Sequence, residues 1–219
     1  MSPASAKEPR RVFWVVLFSV AMAVVEAAIV VYLRQLYYPE GFGFPLKLID
    51  MTTFMVELTR EAATVIMLCA VGTLAGRCFW ERFAYFLLAF GIWDIAYYLW
   101  LKIFVNWPAS LFDWDILFLL PLPWIGPVIA PCSIAVIMIA IGLAIIRLHA
   151  RGLDFRPTRL SWILVLAATG ILLYSFMLDL SATLHFQWPR PYLYGLLIIG
   201  DILYILAYIH TARHLRQSV

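Results

Sequence analysis

The chain has 219 residues, of which 64% are hydrophobic and only 13% charged, with a formal net charge of +3. Soluble domains run at roughly 45–50% apolar and about 25% charged, so a water-soluble globule is excluded and lipid is the expected solvent for most of the chain. The small net charge, with no basic block and no Gly-rich phosphate loop, excludes nucleic acid and nucleotide as expected partners.

Six apolar stretches are long enough to span a bilayer, each needing about 20 residues. In chain order they are Val12 to Leu33, Phe54 to Ala75, Phe83 to Phe104, Trp124 to Ile146, Leu160 to Leu180, and Tyr192 to Thr211. The expected fold is an all-α integral membrane protein with six transmembrane helices in one polytopic domain, residues 1–219. The first stretch exceeds the apolar core of a signal peptide, about 7–15 residues, and no good cleavage site follows it. It is expected to remain as a helix.

Basic residues set the expected orientation. Lys7, Arg10, Arg11, Arg77, Arg82, Arg147, Arg151, Arg156, Arg159, Arg213 and Arg216 fall on one side of a six-span protein, eleven of the sixteen in the chain. Arg34, Lys47, Arg60, Lys102 and Arg190 fall on the other. Both termini are therefore expected in the cytoplasm, and the expected location is the inner (plasma) membrane of a bacterium, as a multi-pass protein.

The stretch VELTREAATVIML, beginning at Val56, places Glu57, Arg60 and Glu61 inside the second span, where a charge costs several kcal/mol. At about 1.5 Å per residue, Glu26 and Glu61 lie about 21 Å above the inner boundary, and Asp94 and Asp201 about 15–16 Å. Glu57 and Asp179 lie at about 27–28 Å, near the outer edge. Six carboxylates from five helices thus sit at or above the midplane. Helical spacing gathers Thr53, Glu57, Glu61 and Thr64 on one face, and likewise Asp94, Tyr98 and Lys102; Ser175, Asp179 and Thr183; and Tyr194, Asp201, Tyr204 and Tyr208. Such stripes turn inward, because lipid offers them no partner. They predict an acidic cavity in the outer half, with Glu26, Glu57, Glu61, Asp94, Asp179 and Asp201 as candidate cation- or proton-binding groups. Arg34, Arg60 and Lys102 are the candidate counter-charges. The competing reading is a purely structural ion network, with Arg190 as a fourth base.

Before the fourth span, FDWDILFLLPLPWIGPVIAP carries Pro121, Pro123, Pro127 and Pro131. Each lacks a backbone donor, so the outer half of helix 4 is expected to be broken by prolines and to border the cavity. A short interfacial helix followed by a Pro-rich turn is the alternative for that segment. Trp93, Trp100, Trp107 and Trp114 recur every seven residues and are read as an aromatic belt at the outer interface.

Metal and redox chemistry has little support. His149, His210 and His214 fall at the inner interface, and no two histidines meet at mid-membrane depth, so no haem is expected. His185 is a weak metal candidate with Glu57, Glu61 and Asp179, and it leaves a metal ion as the one cofactor the donor set admits. Cys69, Cys78 and Cys132 form no CxxC pair, and no GxSxG element is present. Three functions fit these residues. The first is a transporter of protons, a cation or a cationic solute. The second is an accessory subunit contacting partner membrane subunits, and the third a metal-dependent enzyme acting on a lipid or isoprenoid. The bilayer is the expected partner in every case.

Overall fold

A computed structural model describes residues 3–217 except 121, 181, 183, 184 and 186. Pro121 and Thr183 therefore lie outside the described residues, as do the side chains of Lys7 and Arg216. The described chain is 72% helical, with six helices. They are α1 (Pro3–Tyr37), α2 (Met51–Ala75), α3 (Phe79–Val105), α4 (Ile129–Ala150), α5 (Arg159–Met177) and α6 (Tyr194–Gln217).

Their limits follow local chemistry. The Asp50 carboxylate caps α2 by accepting from Thr53 N at 3.0 Å, and the Thr158 hydroxyl caps α5 by accepting from Ser161 N at 3.1 Å. Asn106 ends α3 in the left-handed region, at φ 54°, a conformation that Asn tolerates better than most residues. Pro108 follows it.

Five helices are long and apolar enough to cross a membrane: α1 from Glu8, α3, α4, α5, and α6 as far as Leu215. The helix covering the second expected span, α2, is not among them. It has the length, but Glu57, Arg60 and Glu61 interrupt its apolar run.

The fourth element departs from expectation. Trp124 does not begin a proline-broken helix. Residues Trp114–Phe118 (β1) and Trp124–Pro127 (β2) form an antiparallel hairpin, pairing Trp114 with Pro127, Asp115 with Gly126 and Ile116 with Ile125. The physical reason is chain chemistry. Aromatic and β-branched residues favour a pleated strand, and prolines cannot supply helical N–H groups. Helix α4 opens only at Ile129, with Pro131 in its first turn, where the missing N–H has no helical acceptor.

Packing centres on α3, which touches α1, α2 and α4. It meets α4 backbone to backbone. A Cβ added at Gly142 would lie 2.7 Å from Ala84 O, and one at Gly91 would lie 2.6 Å from Ala135 O. Tyr85, Leu88, Ala89 and Trp93 fill the core around that contact. Helices α5 and α6 pair with each other and join the rest through α4 and β2. Hydroxyls stitch this pair: Ser161 to Thr211 at 2.7 Å and Thr169 to Tyr204 at 2.8 Å.

The bundle has two distinct ends. At one, Arg11 reaches Ala75 O at 3.4 Å and Glu81 at 3.8 Å, which brings together the start of α1, the end of α2 and the start of α3. Trp80 packs on Phe155 and Trp162 at the same end. The other end carries the hairpin and the 38–50 connection.

Candidate functional site

At the hairpin end, α1, α2, α3, β1 and the 38–50 connection enclose a cavity of about 610 Å³. Four of the six predicted carboxylates line it: Glu26, Glu57, Glu61 and Asp94. The stripe on α2 puts them there. Glu57, Glu61 and Thr64 lie one turn apart on the buried face of that helix, while Val56 and Thr59 face outward.

Arg60 is the hub of the α2 side. Its guanidinium pairs with Glu26 of α1, and it donates to Glu57 Oε2 from Nε at 2.9 Å and from Nη2 at 2.7 Å. The Thr64 hydroxyl donates to the second oxygen of Glu26 at 3.1 Å. Glu61 bonds to the hairpin instead, its Oε2 accepting from Leu119 N at 2.8 Å. Two acids are thus spoken for by one arginine, and a third by the backbone of the hairpin tip.

Asp115 of β1 was not among the predicted residues, yet it is the most buried carboxylate of the wall, at 2% exposure. Its Oδ1 lies 3.0 Å from Nη2 of Arg34, in the last turn of α1. The Arg34 guanidinium also lies over two rings, 4.1 Å from the centroid of Phe42 and 3.8 Å from that of Trp107. The belt reading of Trp107 therefore missed its role in seating a cation. A faint signal existed in the sequence, since Asp115 is an acid inside the otherwise apolar run WDILF.

Asp94 has no such partner. Its Oδ2 is buried and accepts no hydrogen bond among the described residues, and the charged group beside it is another carboxylate, Asp115. The Oδ2 of Asp115 likewise meets no close donor among the described residues, although the Tyr98 hydroxyl and the Ile116 N–H also serve this carboxylate. Across the whole wall, five carboxylates face three basic side chains, which leaves two carboxylates in excess. One of the bases, Lys47, is exposed at the rim.

The remaining predicted residues lie elsewhere. Asp179 accepts from Arg190, from the backbone N at 2.7 Å and from Nε at 2.9 Å, outside the cavity. Asp201 sits on α6 facing Ser133, with its Oδ1 buried. Lys102 turns away from Asp94 and donates to the carbonyls of Pro108 at 3.0 Å and Asn106 at 3.4 Å, at the end of α3. His185 is exposed in the turn after α5, and among the described residues no three His, Cys, Asp or Glu side chains come together to hold a metal. The donor set of His185, Glu57, Glu61 and Asp179 is not assembled.

No family model, curated protein or solved structure matches the chain. What the site can do is read from its own groups. Buried carboxylates in excess of bases must be neutralised, either by protons or by a cation that enters the cavity.

Proposed function

We propose that this chain is a multi-pass protein of the bacterial plasma membrane that takes a positively charged species into the hairpin-end cavity and carries it across the bilayer. The species is a proton, a cation or a cationic solute. Both termini lie in the cytoplasm in this reading, and the cavity opens outward. The gathering of Arg11, Arg77, Arg147 and Arg159 at the end away from the cavity supports that orientation, and the reading takes α2 as a sixth crossing.

The observation that carries the reading is the buried Oδ2 of Asp94, which meets no hydrogen-bond partner among the described residues, beside Asp115 in a wall with two carboxylates in excess. A buried carboxylate oxygen with no donor is costly for a fold to hold, so it marks a place that a positive group or a proton completes. Polar groups lining a cavity within a membrane bundle are the usual setting of ion and solute pathways.

A thermal-shift screen of the purified protein over protons, divalent metals and amines tests this. A ligand that binds only the native state stabilises it by about 2.7 kcal/mol at a hundred times its dissociation constant. Asp94→Asn should remove the response, and flux into proteoliposomes should then follow for the same cation. No response to any cation would overturn the reading. If partner chains co-purified as well, the accessory-subunit reading would replace it.

A further inference from the structure

We infer that the cation is organic: an ammonium or guanidinium head with at least two N–H donors, carried on an apolar body. This rests on the cation reading of the cavity and narrows it.

Size is the first argument. About 610 Å³ is far more than a bare ion occupies; cavities of roughly 300–1,000 Å³ are those that enclose small organic molecules. Composition is the second. Away from the acids the wall is aliphatic and aromatic, with Val30, Leu33, Phe54 and Leu46 among its residues. Such a surface gives a hydrated metal ion nothing to bind and gives an apolar body a place out of water.

The third argument is the form of the unsatisfied groups. Asp94 and Asp115 each keep one buried oxygen without a hydrogen bond among the described residues. Hard divalent cations require about six or more oxygens in a closed shell. Two acceptors, one from each of two neighbouring carboxylates, suit a head group with two or more N–H donors. Aromatic residues line the same wall: Trp93 stacks on Tyr97 with ring centroids 6.4 Å apart, and Phe118 meets Trp93 edge-on at 6.5 Å.

The protein already binds one such group in its own wall. The Arg34 guanidinium rests on Phe42 and Trp107 while an Nη donates to Asp115. The cavity wall draws on the same residue types, with Asp94, Trp93 and Phe118 among its lining residues. A cation over such rings gains from the ring quadrupole, and more so where water is excluded.

The test uses the full chain in detergent with four probes: hexylamine, hexylguanidine, the neutral hexanol and sodium or magnesium chloride. Calorimetric titration should show saturable binding of hexylamine or hexylguanidine. Hexanol should bind at least about tenfold more weakly, the size of one lost charge-assisted hydrogen bond. Asp94→Asn should weaken the amine by a similar factor while leaving hexanol binding unchanged, with a ligand-free melting temperature close to the parent's. Hexanol binding as tightly as hexylamine would overturn the inference, since the cavity would then be reading shape alone. Response to metal ions or protons without any to amines would also overturn it, while leaving the broader cation reading in place. Silence from all four probes and from pH would remove both.

Discussion

Arg34 Nη2 and Asp115 Oδ1 stand 3.0 Å apart, so the last turn of α1 is fastened to strand β1, with both side chains nearly buried. Removing one partner of a buried pair strands the other charge, at about 3–5 kcal/mol, whereas replacing both with apolar groups is often close to neutral. Arg34→Met alone and Asp115→Leu alone should therefore each lower the melting temperature strongly, and the double variant should recover most of the loss. Strict additivity in that double-mutant cycle would show that the pair does not hold the hairpin.

Arg60 serves two carboxylates, so its loss should cost more than the loss of either partner. Arg60→Leu leaves Glu26 and Glu57 buried without a counter-charge and should sharply reduce folded yield. Glu57→Gln, which keeps the pair with Glu26, should be mild by comparison. Adding Glu26→Gln to Arg60→Leu should restore part of the yield. Equal yields for all three variants would remove Arg60 from its place as hub.

Helices α3 and α4 touch through backbone, which makes Gly142 sensitive to a single methyl group. With Ala84 O only 2.7 Å from the new Cβ, Gly142→Ala should cost about 1–3 kcal/mol. Gly170, which has nothing within 4 Å, is the control. There the same change should be neutral or stabilising, by up to about 1 kcal/mol. Denaturation of the two variants side by side reads the difference.

Asp50 gives a pH prediction. The Thr53 hydroxyl, the Thr53 N–H and the Tyr37 hydroxyl all donate to its carboxylate and hold it far below the usual range. A depressed native value means that the bonds stabilise the fold above the ordinary carboxylate range, near 3.9. That contribution is lost as pH falls through the lowered native value. Asp50→Ala should accordingly melt below the parent at neutral pH, and the two melting curves should draw together on acidification. A gap that widens toward low pH would contradict the cap.

The orientation can be read with thiol chemistry. In a chain whose three cysteines are replaced, Glu40→Cys should react with an impermeant maleimide added outside cells, and Arg151→Cys should react only after permeabilisation. The reverse pattern would invert the protein in the membrane.

Much of the bundle was legible because apolar runs of about 20 residues admit few structures in lipid. The carboxylates on α1, α2 and α3 were legible for a related reason: a stripe at helical spacing fixes both depth and face. Depth says nothing about lateral position, however. Asp179 and Asp201, expected in the same outer half as the others, belong to the α5–α6 side, and Lys102 answers to the carbonyls that end its own helix. The hairpin was hidden because Ile116, Trp124 and Ile125 are as apolar as any helix, and strand pairing is not a periodic signal along one segment. Asp115 was lost with it, since its partner Arg34 lies 81 residues away.

The hydroxyl pairs between α5 and α6 also constrain the order of events during synthesis. Ser161, Thr169 and Ser175 emerge well before Thr211, Tyr204 and Tyr192, the groups on the α6 side that they bond. A solitary α5 released sideways into lipid would leave those bonds unmade, so the favourable course is for both helices to leave the translocon as one antiparallel unit. The four earlier helices face a similar wait. The contacts of α3 with α1 and α2 can close early, but its Gly91 seam stays open until α4 arrives.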